Sequence, residues 1–450
     1  MKPMTWLTEE FQGIDLGDKR LNDRCERVVK ALGKEPKKSI PESCGDWGST
    51  KGAYRFFAND DVTRKALLSP HRGKTVERCR AAQEVVVIHD TMYWGLTHHP
   101  ATEGLGPIGT AEGLKGLVVH HSLVVELDRG EVLGLLEQEV WAREGRKEKD
   151  ETARERRSRD RESDRWPRGM EAASCGLENA IHVADRESDI YEVLEWLRGE
   201  GQRYVIRASQ NRRLAGRKAD YIFETVHRSP VAGKMSVLVG PRPGRKGRTA
   251  HLTLRRGLVT IRPPVALVRR GPDLTVGVVE VLEEHPPKGC EALRWVLLTG
   301  ESVKNLQACA RVVMIYSRRW KIEEFHMGLK TGCGVEDRQL ETRKRMEAFL
   351  GLASVISVML LRMRDAARGG EMASVYLTGI QIRCLRSKYP SLGPDPTARE
   401  ALRTVARLGG FLARKGDGEP GWRTLWHGME KVLLMEHGYL FAKNESPFPR

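Results

Sequence analysis

The chain has 450 residues and a formal charge of +16, and 30% of its residues are charged. That length supports roughly two to four structural units around a large core, and the excess of Lys and Arg points to a polyanionic partner. Eight cysteines without a CxxC or a Cys/His zinc spacing, the lack of a basic amphipathic helix or lipidation signal, and an opening MKPMTWLTEEFQ with no apolar h-region argue against a disulfide scaffold, a zinc module, a membrane-bound protein and a secreted one. The expectation is a cytoplasmic protein with no membrane partner.

The first 75 residues read as short basic helices, clearest at LGDKRLNDRCERVVKAL (16–32) and STKGAYRFF (49–57), with KEPKKSIPE (34–42) as a basic loop between them. EVVVIHD (84–90) is a β-branched run ending in an acid, the pattern of a buried strand. GLVVHHSLVVEL (116–127), DRG (128–130) and EVLGLLEQEVW (131–141) predict a hairpin. Residues 143–165 mix both charge signs without apolar periodicity and read as a surface loop or solvated helix. AIHVADRESD (180–189) is a second apolar strand ending in an acid, followed by a helix, IYEVLEWLRG (190–199), and a strand, RYVIRAS (203–209).

From about 230 to 300 the pattern alternates between turn signals: KMSVLVG, AHLTLRRG, LVTIRPP, LTVGVVEVLEE and ALRWVLLTG predict separate short strands, forming a β-rich insertion or an extension of the sheet. Helical sequence resumes near Ser302. AFLGLASVISVMLL (348–361) is too short to span a bilayer and reads as a buried helix. The remainder, from 366, is helical with Pro/Gly breaks at 389–395 and 417–421. The predicted fold class is α/β: a ribonuclease H-like core in two parts (76–230 and 301–365) interrupted by the β-rich subdomain (231–300). Helical domains flank it at 1–75 and 366–450.

Asp90 and Asp185 each end a predicted strand, and Glu323 lies on a later helix. A strand with an acid, a hairpin, a second strand with an acid, then a helix with an acid is the order of a ribonuclease H-like core. Clustered carboxylates repel by about 4 kcal/mol per pair at about 4 Å with an effective dielectric of about 20. Hard divalent cations remove that penalty and suit phosphodiester chemistry. Within YSRRWKIEEFHMGLK (316–330), read as one helix, Tyr316, Arg319, Glu323 and Lys330 fall in a sector of about 60°.

The spacing Y-x₂-R-x₃-E-x₆-K resembles the YREK signature of bacterial cut-and-paste DDE transposases of the insertion-sequence-4 family, in its hairpin-forming class. HDT (89–91), ADRESDIY (184–191) and RRWKIEEFH (318–326) look like the motifs of that family's three acids. DLGDKR (15–20), KGAYRFF (51–57), LRWVLLTG (293–300) and ARLGGF (406–411) are similar to it outside the site, so the resemblance covers essentially the whole chain.

The resemblance implies that Asp90, Asp185 and Glu323 hold two Mg²⁺ or Mn²⁺ ions. Water nicks the transposon end, the freed 3′-hydroxyl attacks the opposite strand to make a hairpin, a second water opens it, and the 3′ ends attack target DNA. By the same resemblance Tyr316, Arg319 and Lys330 grip phosphates, Trp295 is inserted into the DNA and Trp320 stacks on a flipped base. Arg207, Arg20, Arg24, Lys38 and Arg55, with Lys19 as a neighbour, fall at positions that contact double-stranded DNA. Met327 stands where related enzymes carry a lysine, so one phosphate contact is expected to be missing and the salt dependence of binding to be shallower. The C-terminal helices resemble a dimerisation region, which implies a homodimer pairing two ends. Two other readings stay open: a structure-specific nuclease on the same core, and a transposase-derived DNA-binding regulator without activity.

Overall fold

In a computed structural model, residues 5–109, 111–144, 162–216, 220–239, 247–264, 271–366, 371–414 and 417–443 are described. Five helices come first, at Thr5–Glu10, Lys19–Lys34, Ile40–Cys44, Trp47–Ala58 and Arg64–Ala81. They start where small polar side chains cap free backbone N–H groups: Asp18, Ser39, Asp46 and Thr63 each accept from the first turn they precede.

Ten strands follow: β1 (Val85–Gly95), β2 (Gly106–Pro107), β3 (Lys115–Glu126), β4 (Val132–Trp141), β5 (Ala180–Ala184), β6 (Arg203–Arg207), β7 (Val231–Val239), β8 (Arg248–Ile261), β9 (Leu274–Leu282) and β10 (Arg294–Thr299). They form one mixed sheet. β1 lies between antiparallel β3 and parallel β5, with β4 outside β3 and β6 parallel outside β5. The spatial order β4-β3-β1-β5-β6, with only β3 reversed, is consistent with a ribonuclease H-like core.

β10 then joins β6 antiparallel, and β9, β8 and β7 continue the same sheet outward. Two predicted strands here are one. β8 runs through Gly257, whose backbone pairs with Val278 in unbroken register, so a residue that reads as a strand end is carried by its cross-strand neighbour.

β3, β5 and the first half of β1, up to His89, are almost wholly buried because helices cover the sheet there. Ile88 and Met92, flanking Asp90 on its own side of β1, share a core cluster with Ile322 and Phe325 of the helix Trp320–Met327. Trp166 and Met170, on the helix Arg165–Ser174, belong to a second cluster. Each fully buried Leu, Ile or Val contributes about 1.5–3 kcal/mol.

The helix Arg343–Ala366 is longer than its 14-residue apolar run and is, by length and composition, long enough to cross a membrane; 89% of its apolar window is buried in this core. Three more helices, Gly379–Lys388, Ala398–Leu408 and Trp422–Ala442, enclose a separate C-terminal cluster. Of the charged segment 143–165, residues 145–161 lie outside the described residues. At its ends, Arg143 pairs with Glu162 at 2.6 Å.

Candidate active site

Asp90 and Asp185 meet through strand register. β1 and β5 are parallel neighbours, and His89 pairs with Ala184, so the next residue of each strand lies side by side at the carboxyl end of the pair. Asp185 leaves the strand to cap a short turn, accepting from Glu187 N–H at 2.9 Å. Asp90 accepts from Thr91 N–H at 2.8 Å.

The third acid comes from Trp320–Met327, and Arg319 ties it in. Arg319 Nη2 donates to Glu323 Oε1 at 2.6 Å, and Nη1 lies 3.5 Å from Asp90 Oδ2. Burial, followed by the charge of Asp185, pushes the Asp90 carboxyl up to about 7 against the relief given by Arg319 and Thr91 N–H; Glu323 adds to the rise. Both other acids therefore act on Asp90.

Among the described residues no three His, Cys, Asp or Glu side chains form a group that could hold an ion. Asp90 and Glu323 meet across the Arg319 guanidinium, with Asp185 beside Asp90. Their donor set still fits the implied metal, since it consists of hard carboxylate oxygens only and a bound cation would favour the ionised form that burial and Asp185 disfavour at Asp90.

The stretch 316–330 is not one straight helix. Leu306–Ser317 ends, Arg318 and Arg319 form a tightened turn, Trp320–Met327 follows, and Gly328–Gly332 is a wide turn of π type. The single-face arrangement therefore fails at both ends. Tyr316 is only 3% exposed, edge-on to Trp295 at 5.3 Å between ring centroids. Lys330 donates to Glu336 Oε1 and to Tyr93 O, both at 2.8 Å. Trp320 is 43% exposed and lies under Arg319, whose Cζ is 5.1 Å from its ring centroid. Met327 is partly exposed.

Arg207, at the end of β6, donates to Arg294 O at 3.1 Å and also meets the Tyr316 hydroxyl. Lys19, Arg20 and Arg24 lie on Lys19–Lys34, and Arg55 lies on Trp47–Ala58. Lys38 pairs with Glu35 at 2.7 Å, and its carbonyl accepts from the buried Arg338, which also bonds Pro36 O and Cys333 O.

Sequence reasoning passes over a layer of buried histidines around β1. His89 and His182 bond at 2.9 Å, with Ser122 on His89 and Ser174 on His182. Thr91 Oγ1 meets His120 Nδ1 at 3.0 Å and accepts from Arg165 Nε. On the Asp90 side, Gln138 Nε2 donates to His121 Nε2, which leaves His121 Nδ1–H to donate to His326 at 3.1 Å. Burial pushes every one of these imidazoles below its ordinary pKa. As neutral groups that both donate and accept, they stiffen the strands under Asp90 and the helix bearing Glu323. Two signals were available: HisHis within a strand opposite the first acid, and His326 one helical turn after Glu323.

Three family models match this chain. Residues 3–62 match a transposase DNA-binding domain, 162–360 a transposase DDE domain, and 382–447 a Tn5-type transposase dimerisation domain. Asp185 and Glu323 fall inside the second match, and Asp90 precedes it. Among solved structures, a cryo-EM structure of the piggyBac transposase synaptic complex with hairpin DNA aligns over 99% of this chain and 79% of that one, at 11% identity and a TM-score of 0.36. A likeness that loose carries no argument. The matched domains cover most of the chain.

Proposed function

Since this chain belongs to the DDE transposases, divalent-metal-dependent enzymes that cut DNA and join its strands, we propose that it is a cut-and-paste transposase of the insertion-sequence-4 type. DNA and a second copy of the chain are its partners by virtue of its DNA-binding and dimerisation domains. The N-terminal helices bind the transposon ends, and Asp90, Asp185 and Glu323 form the cutting centre. The 3′-hydroxyl freed by the first cut attacks the opposite strand to give a hairpin, which is then opened, and the 3′ ends are joined to target DNA.

The observation that supports this reading is that Asp185 and Glu323 both act on the Asp90 carboxyl. Asp90 lies within β1, which runs on past it to Gly95, and Asp185 lies just beyond the end of its parallel neighbour β5; Glu323 is linked to Asp90 through Arg319. Asp90, Asp185 and Glu323 would hold two Mg²⁺ or Mn²⁺ ions. When bound, such ions activate the attacking oxygen and stabilise the leaving one.

Every other contribution comes from the chain. Arg319 offers a planar fork to a phosphate, and Lys330 offers a point charge. Trp320, half-exposed beside Arg319, is the stacking platform for a flipped base. Inserting Trp295 into the duplex requires its indole to give up the edge contact with Tyr316. Tyr316 in turn holds Arg207 by a side-chain hydrogen bond.

The test uses a labelled duplex carrying the inverted repeats that flank the coding region, with Mg²⁺ or Mn²⁺. The wild-type chain is expected to convert it to a hairpin, and Glu323→Gln to leave it uncut while still binding it. A nick that never becomes a hairpin points to a nuclease; binding without any cut by the wild type points to a regulator. Either result ends this reading.

A further inference from the structure

Trp47 is 77% exposed, a large aromatic surface to leave in water. It opens the helix Trp47–Ala58, and the helix holds it there firmly. Asp46 caps the helix by accepting from Ser49 N–H at 2.8 Å. Thr50, Ala53, Phe56 and Phe57 bury the opposite face, and Phe57 packs edge-on against Phe349 of the long core helix at 5.8 Å.

Lys51, Tyr54 and Arg55 stand four, seven and eight residues after Trp47, on the same side of the helix, and all three are exposed. A neighbouring helix adds to that surface. Arg24 lies so close over Gly52 that a Cβ there would meet Arg24 Nη1 at 2.1 Å. Arg20 lies one turn before Arg24 and is exposed too. Among the described residues, Arg20, Lys51 and Arg55 are paired with no carboxylate, and the Trp47 indole makes no ring contact or hydrogen bond. One exposed indole on the same helix side as uncompensated cations is the make-up of a nucleic-acid contact, in which cations take phosphates and apolar surface meets base edges.

We propose that this face reads duplex DNA and that Trp47 is its specificity-determining residue. The indole lies against base edges in a groove, where a thymine methyl is its best partner. Lys51, Arg55, Arg24 and Arg20 seat the flanking phosphates. The proposal rests on the reading of the N-terminal helices as end-binding, and it names the side chain that discriminates.

The experiment enriches a pool of duplexes carrying a randomised segment on the full-length chain at fixed salt, then measures binding to the enriched duplex across salt concentrations. Wild type is expected to enrich one motif. Trp47→Ala is expected to lose the preference at one or two adjacent positions, and to bind the wild-type motif roughly 5- to 150-fold more weakly, with an unchanged salt slope. Lys51→Ala is expected to keep the motif and reduce the salt slope by about 1.

A Trp47→Ala chain that enriches the wild-type motif unchanged overturns the proposal and leaves end binding standing. So does a variant that loses self-association but not the motif, since the face would then belong to a protein contact. A wild type that enriches no motif removes end binding and this proposal together.

Discussion

Arg319 holds Asp90 and Glu323 at once, 3.5 and 2.6 Å from its two terminal nitrogens. Its side chain is only 12% exposed, so these are not the loose ion pairs of an open surface. A divalent cation seated on the same carboxylates competes with the guanidinium, and a DNA phosphate attracts it away. If the carboxylates hold metal and Arg319 takes a phosphate as proposed, metal and DNA binding are coupled through one side chain, and the coupling acts equally in both directions. Calorimetry of Mn²⁺ on the DNA-free chain is expected to give a tighter Kd for Arg319→Gln than for wild type, by about tenfold, or ~1.4 kcal/mol. Adding duplex DNA is expected to tighten Mn²⁺ binding in wild type and to change it little in the variant. Equal affinities for the two DNA-free proteins would show that the guanidinium does not compete.

The element that carries Glu323 is clamped on several sides. Behind it, Glu324 pairs with Arg364 at 2.8 Å, and Lys321 pairs with the buried Asp365 at 3.1 Å. Asp365 also accepts from Val132 N–H at 3.0 Å, which ties the helix to the start of β4. At the far end Gly328 begins the wide turn, and a Cβ there would stand 2.3 Å from Ser357 Oγ. Gly328→Ala must therefore displace this helix from Arg343–Ala366, at a cost of about 1–3 kcal/mol in stability, and strand cleavage should fall with it. Ser357→Ala removes the obstructing oxygen, leaving its Cβ at 3.6 Å from the new methyl. The double variant is thus expected to recover both melting temperature and cleavage rate relative to Gly328→Ala. If the two losses simply add, close packing at Gly328 is not what sets the helix.

This helix also marks where the sequence stops being legible. The strands around the acids announce themselves because β-branched runs buried on both faces have few other homes. Their parallel pairing then brings Asp90 beside Asp185, although β1 does not end at its acid as its sequence suggests but runs on to Gly95. A 3.6-residue period, by contrast, is blind to a tightened turn at Arg318–Arg319 and a widened one at Gly328–Gly332, since both keep near-helical backbone angles. Tyr316 goes inside because β10 supplies Trp295 to cover it, a contact that no local pattern encodes. Gly257 misled for the same reason, its register being set by β9. The histidine layer was missed because its partners arrive from strands and helices far apart in sequence. Trp47 and Lys51 stand out only once the helix that carries them is seen to bury its other side.

At the scale of the whole chain, one buried carboxylate joins parts that are distant in sequence. Glu10, on the first helix, accepts from His71 Nδ1 at 2.6 Å and from Arg78 Nη1 at 2.8 Å, and lies 3.2 Å from Arg362 Nη1. It thereby links the helices Thr5–Glu10, Arg64–Ala81 and Arg343–Ala366, the last of which packs against the helix that carries Glu323. Burial holds His71 neutral, and Leu135 N–H donates to its Nε2, so the other nitrogen carries the proton it gives to Glu10. Burial alone would raise the Glu10 carboxyl; the hydrogen bonds from His71 and Arg78 outweigh it and bring the pKa down to about 2 from 4.5. A depressed carboxylate contributes stability that is fully present above its unfolded pKa and is lost as pH falls through the folded one. The window is therefore about pH 4.5 down to about 2, and a shift of that size corresponds to about 3 kcal/mol. Urea unfolding of wild type and Glu10→Gln, compared from pH 7 downward, is expected to show a gap of about that size at neutral pH. The gap should narrow below about pH 4.5 and close near pH 2. A gap independent of pH would mean that Glu10 acts through packing rather than through its charge, and that the three helices are joined by something other than this carboxylate.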